Sequence, residues 1–296
     1  MSIASESGAK GIGMNPPIVK TIGDRDDSQW LFRLIQQVSQ LSKGALLTDD
    51  ERTEFGTARL RLVEILRQCA DARRELWTLA DKHVAEVIEG QGVFVNESGA
   101  LVIEDDITPR LNRIVNGFFV PTRTALYHLC GQKAVGGKKH AKAILEILTG
   151  MNFGFVFIFD QTKFEKAAKG FLDGVPGVRS KGLIDTIRAD RDSWILGLQE
   201  IRDTIIHDTE YDGLKMIYQT EGRKVQIGFP RLKGVPIFDF VEMFWNNNID
   251  FCEEMMMMAL STRMPPTVAL DRIPADQPAG DRPYRWQGIL LDHPMP

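Results

Sequence analysis

The sequence predicts an all-α fold, an elongated bundle of long antiparallel helices with two small β-hairpin insertions. Apolar residues recur at spacings of three and four along most of 27–263. Seven of the 14 prolines fall in 264–296, so the body is nearly free of helix breakers. Two short stretches, 93–103 and 214–229, alternate with a period of two instead.

A first helix is expected over 28–42, with Trp30, Leu31, Leu34, Ile35, Val38 and Leu41 on one face. Thr48 followed by Glu51 is a capping-box signature, and Asp49 and Asp50 suit the positive end of a helix dipole. From there to about Glu89 only Gly56 interrupts the pattern, and the stripe Leu62, Leu66, Cys69, Leu76, Ala80, Val87 continues throughout. A helix of that length spans ~60 Å and needs a long packing partner, within the chain or in a second copy.

VFVNESGALVI at 93–103 reads as a hairpin turning at Ser98-Gly99. Thr108-Pro109 marks a helix start, and that helix is expected to reach Leu129 with a kink or break at Pro121. After the Gly/Lys loop GQKAVGGKK come apolar helices near 139–149 and 155–172, then a long helix from Ser180 to Asp208. Residues 214–229 form the second hairpin, around Glu221-Gly222, and the last helix covers 236–261. The regions are thus an arm at 1–26, a long-helix region with a hairpin at 27–107, a helical bundle at 108–263 and a Pro-rich tail at 264–296. In that tail a helix is forbidden and a strand disfavoured.

Composition narrows the function classes. The chain has 296 residues, 43% hydrophobic, 26% charged and 8% aromatic, as in a globular protein. With 36 basic and 40 acidic residues its formal charge is -4, which excludes a strongly basic nucleic-acid binder and leaves room only for a local basic patch. Three scattered cysteines and no C-x-x-C pair argue against a disulfide framework or a structural zinc site. The N-terminus lacks an apolar signal core, and the most apolar run, 151–159, is about half the ~20 residues that cross a bilayer. A cytoplasmic protein without a membrane partner is expected.

The most informative stretch is Arg202-Asp203-Thr204-Ile205-Ile206-His207, at the end of the 180–208 helix. It resembles the R-x4-6-H signature of the HEPN superfamily, over helices spanning about 108–263. The polar residue after the arginine is commonly Asn in that family and is Asp203 here. A second match, Arg123 to His128, lacks the polar cluster that follows the first and its place at a helix end before a hairpin, and is read as structural. The resemblance implies a helical bundle and a metal-independent endoribonuclease acting as a homodimer, with a role in microbial defence or as a toxin. It calls for no cofactor. The residue chemistry agrees with that reading. An arginine stays charged and grips phosphate with a planar fork, and a histidine titrates near neutrality and moves a proton. In these roles Arg202 holds the scissile phosphate, His207 is general base or acid, and Asp203 orients one of them.

On a helical wheel Arg191 and Arg202 both lie in the apolar sector with Trp194, Leu198, Ile201 and Ile205, while His207 stands about 140° from Arg202. Two readings of the arginines stay open. Either they face a cleft or dimer seam where RNA phosphate enters, or they pair with carboxylates such as Asp160 or Glu253. The basic cluster Lys133, Lys138, Lys139, His140 and Lys142 offers backbone contacts to RNA, with Lys138, Lys139 and Lys142 the binding candidates alongside Arg191. The same loop fails as a phosphate-binding loop, since Gln132 and Lys139 stand where Gly and Ser/Thr are needed. No metal-ligand spacing occurs among the five histidines. The competing class is a non-catalytic helical module that dimerises or binds a protein through 49–89.

Overall fold

The computed structural model of the chain describes residues 29–131, 141–207, 213–273 and 284–292, with the side chains of 206 and 207 outside that set. The described chain is mostly helical. Helix α1 (Gln29–Leu31), a π-helical stretch (Phe32–Gln37) and α2 (Val38–Ser42) follow one another without a break and bury Trp30, Leu34 and Val38.

Helix α3 (Asp49–Ile88) is a single 40-residue helix. Its start is closed in both directions, the Glu51 amide donating to Thr48 Oγ1 at 3.2 Å and the Thr48 amide to Glu51 Oε2 at 2.8 Å. Gly56 does not interrupt it, and a Cβ there would meet nothing within 4 Å. The hairpin β1 (Val93–Val95) and β2 (Leu101–Ile103) follows, antiparallel, with Phe94 opposite Val102.

Helix α4 (Thr108–Cys130) runs on through Pro121, so the expected break does not occur. The long partner that α3 requires is α4 itself. Arg113 reaches Glu75, Thr122 reaches Cys69 and His128 reaches the Ala58 carbonyl, so the two helices run antiparallel. The seam holds Leu62, Leu66, Phe118 and Phe119, all nearly inaccessible.

The next segments are shorter than their sequence pattern indicates. Helix α5 covers Ile144–Thr149, Gly154–Phe157 is a 3-10 turn, and α6 is Gln161–Gly174. The expected 155–172 helix begins six positions late because Asp160 caps it, accepting from the Lys163 amide at 3.1 Å. Helix α7 (Val178–Asp190) passes through a π turn (Arg191–Ile195) into α8 (Leu196–His207). Hairpin β3 (Ile217–Glu221) and β4 (Lys224–Gly228) is followed by a small pair, β5 (Arg231–Leu232) and β6 (Val235–Pro236), that the pattern did not announce. Helix α9 (Ile237–Ser261) is buried on nearly all sides and crosses back along α3, its Glu242 accepting from Trp77 at 2.8 Å and from Arg73 at 2.7 Å.

The tail corrects a second expectation. Strands β7 (Val268–Arg272) and β8 (Trp286–Leu290) pair antiparallel, Val268 opposite Leu290. Neither strand contains a proline, and Pro265 and Pro266 precede β7, so no ladder donor is lost. Gln37 Oε1 receives the amides of Arg285 (2.6 Å) and Trp286 (2.9 Å), which docks the hairpin on the helices. One apolar cluster runs from Trp30 through Phe118 and Phe244 to Met264, so the core is continuous across the 107/108 boundary. Among the described residues no helix is long and apolar enough to cross a membrane.

Candidate functional site

Helix α8 is anchored by Leu198 and Ile201, which are buried, and this turns the next two residues toward α4. There the Asp203 carboxylate gathers two guanidinium groups on one oxygen. Arg202 donates to Oδ1 at 2.9 Å, and Arg123 of α4 donates to the same atom at 3.0 Å. The side chains of Arg123, Arg202 and Asp203 are 15%, 22% and 40% exposed, so the cluster opens to solvent on its carboxylate side. The Arg123 guanidinium lies 4.9 Å from the centre of the Tyr127 ring, which fixes its plane.

Two polar atoms here are buried without a hydrogen-bond partner, Arg123 Nε and Gln199 Oε1. Gln199 precedes Arg202 and Asp203 by three and four positions, the spacing that places helix residues on a common face. A buried donor and a buried acceptor, each unsatisfied, are costly features in a folded chain.

His207 is the last residue of α8, and its side chain lies outside the described residues. Lys138 and Lys139 also lie outside them. Lys142 is exposed and pairs with Glu54 at 3.1 Å, so its charge is met within the chain.

Arg191 corrects the RNA-facing expectation. Its side chain is 1% exposed, and its guanidinium donates to Gln161 Oε1 at 2.7 Å, to the carbonyls of Ile158 (2.6 Å) and Phe159 (3.3 Å), and to Asp192. The Phe164 ring lies 4.4 Å below it. The open alternative of an internal partner is the correct one, although neither Asp160 nor Glu253 supplies it. Glu253 instead belongs to Arg33.

The second R-x4-H match divides between two tasks. His128 Nε2 sits 2.8 Å from the Ala58 carbonyl and ties α4 to α3, and burial lowers its pKa. Arg123 joins the first match at Asp203. Sequence reasoning set Arg123 aside and passed over Gln199. Only the packing of α4 on α8 brings the two arginines together, and periodicity within one helix carries no record of its neighbour.

Other chemistries are disfavoured by environment. The three cysteines are free and buried, and burial pushes the Cys69 thiol up to about 12, which withholds the nucleophilic thiolate. Among the described residues no group of three or more His, Cys, Asp or Glu is placed to hold a metal ion. Comparison with protein-family models, curated proteins and solved structures finds no match to the chain.

Proposed function

We propose that the chain is a HEPN-like, metal-independent endoribonuclease, a helical bundle that works as a cytoplasmic homodimer in defence or as a toxin. One observation carries this reading. The R-x4-H arginine, Arg202, stands with Arg123 on the Asp203 carboxylate at a partly open cluster, on the helix that ends five residues later at His207. In this scheme Arg202 grips the scissile phosphate and Asp203 holds its guanidinium in plane. His207 takes the 2′-hydroxyl proton as the 2′-oxygen bonds to phosphorus. The bond to the 5′-oxygen breaks, and that oxygen is protonated by an acid, the second His207 of the dimer. No cofactor takes part. The products carry 2′,3′-cyclic phosphate and 5′-hydroxyl ends.

The test is incubation of purified protein with single-stranded and structured RNA in EDTA. Cleavage with cyclic-phosphate ends that disappears in a folded His207→Ala variant is the expected result. Undiminished cleavage by that variant overturns the assignment.

A second reading, a non-catalytic module that dimerises or binds a protein through α3, is favoured by the same carboxylate. Asp203 already occupies donors of both arginines, and the chain is acidic overall. RNA that survives intact with the wild-type protein selects this reading.

A further inference from the structure

The link between α6 and α7 borders a cleft of about 260 Å³. Its walls are the link itself (Val175, Pro176), the first turn of α7, and the chain that leaves α9 toward β7 (Thr262, Met264, Pro266). We infer that this cleft binds the phosphoryl group of a small phosphate ester, on the N-terminal amides of α7 and the Ser180 hydroxyl. The inference is independent of the ribonuclease reading.

Helix α7 has 13 residues, and its N-cap, Gly177, has no side chain to close it. The amides of Val178, Arg179 and Ser180 donate to no described residue, and the first bond of the helix is Lys181 N to the Gly177 carbonyl at 3.1 Å. A Cβ on Gly177 would meet nothing within 4 Å, so the cap is uncrowded. The second observation is Ser180, which is 2% exposed. Its Oγ makes no hydrogen bond with a described residue, yet it is not sealed in, because the residue lines the cleft. The third is Arg179, whose guanidinium is held by the carbonyls of Ser261 (2.5 Å), Met264 (3.2 Å) and Val268 (2.7 Å). No carboxylate among the described residues pairs with it, and burial lowers its pKa.

Free amides at the positive end of a helix dipole, a hydroxyl and a guanidinium without a counter-anion select an anion. A tetrahedral group with three terminal oxygens uses more of these donors than a planar carboxylate does, and each such bond is charge-assisted. The cleft is smaller than the ~300–1,000 Å³ of sites for drug-sized ligands, which suits a phosphate with a small substituent. That substituent has Val175, Pro176, Met264 and Pro266 to pack on, so the walls favour an apolar ester group over the free ion.

The experiment is calorimetric titration of the full chain with inorganic phosphate and with phenyl phosphate, at constant ionic strength in chloride. The pH is about 7.5, above the second phosphate pKa of about 6. Saturable binding of both probes, phenyl phosphate the tighter, is expected. Ser180→Ala should weaken both by about tenfold, as loss of one hydrogen bond to a charged group does. Val178→Asp places a carboxylate on an exposed first-turn side chain and should abolish binding of both. Its Tm should be unchanged or higher, because an anion suits that end of the helix, and this separates lost binding from lost folding. Arg202→Ala should bind both probes as the parent does, which keeps this site distinct from the Asp203 cluster. Inorganic phosphate binding more tightly than the ester supports the site and assigns it to the free ion. A parent that binds neither probe overturns the inference. So does binding that is unaltered in Ser180→Ala or Val178→Asp, or that Arg202→Ala removes. RNA cleavage, present or absent, bears on the earlier reading alone.

Discussion

Arg33 and Glu253 form an ion pair that fastens the first helical stretch to α9, the Arg33 Nε donating to Glu253 Oε2 at 2.8 Å. Glu253 is 1% exposed, and its other oxygen receives Gln37 Nε2 at 2.6 Å. Burial alone pulls the Arg33 pKa down, but Glu253 and Asp250 outweigh it and the net direction is upward. Removing one member of such a pair strands a buried charge. Glu253→Ala is therefore expected to cost about 3 kcal/mol, read as a lower urea midpoint at unchanged slope. The double variant Arg33→Met/Glu253→Leu should recover most of that loss, because well-packed apolar residues replace a buried pair at little cost.

Pro121 predicts a change of the opposite sign. It sits in the interior of α4, where its ring removes the amide that would bond to the Gly117 carbonyl. The helix continues because α3 and α9 clamp it on both sides of the proline, with Phe119 packed against Phe244 at 5.9 Å. Thr122 and Thr124 hydroxyls also donate to the carbonyls of Phe118 (2.7 Å) and Val120 (2.9 Å) around the gap. Pro121→Ala restores a backbone bond and should stabilise the protein by about 2 kcal/mol. An unchanged or lower urea midpoint would show that the proline is accommodated without cost.

These residues mark what was legible in the sequence. Local rules succeeded where local energies decide, as at the Thr48–Glu51 box, the 93–103 hairpin and the extent of α3. They failed where packing from elsewhere decides. Pro121 reads as a break until α3 and α9 are placed beside it. The prolines of 264–296 read as a coil, although those in the described stretches flank β7 and β8 rather than entering them. At the site, Arg202 and Asp203 were visible as neighbours in a motif. Arg123 became a functional candidate only when α4 and α8 were brought together, since contact between helices is a property of the folded chain.

Acid sensitivity follows from two histidines, one buried and one half-buried. His83 is 2% exposed, hydrogen-bonds the Tyr218 hydroxyl at 2.9 Å, and has its pKa lowered from 6.5 chiefly by burial. His128 is lowered for the same reason. A histidine whose folded pKa lies below its unfolded value binds more protons when unfolded, so stability falls as pH drops through 6.5 toward the folded values. The unfolding midpoint should therefore decline between about pH 7 and pH 5, above the range in which Asp and Glu titrate. His83→Gln, which retains a hydrogen-bonding group for Tyr218 and cannot titrate, should flatten that decline. A slope that is the same in wild type and variant would remove His83 from the account.

Two arginines of one helical run should divide stability from activity between them. Arg191 fills a closed position, with its donors on the carbonyls of Ile158 and Phe159 and on Gln161, and its face on Phe164. Those carbonyls lie between the 3-10 turn and α6, so the guanidinium ties this connection to the π turn that carries Arg191. Arg191→Ala is expected to cost about 4 kcal/mol, because it empties a buried position and removes the donor shared by three acceptors. Arg191→Lys keeps the charge but cannot reproduce the fork, and should still cost about 2 kcal/mol. Arg202 stands at the half-open cluster, where an ion pair contributes little to folding. Arg202→Ala should shift stability by under about 1 kcal/mol while abolishing RNA cleavage in EDTA. Thermal unfolding and cleavage measured on the same preparations separate the two. If Arg202→Ala unfolds the protein as Arg191→Ala does, the Asp203 cluster is a structural clamp and the ribonuclease reading loses its cation.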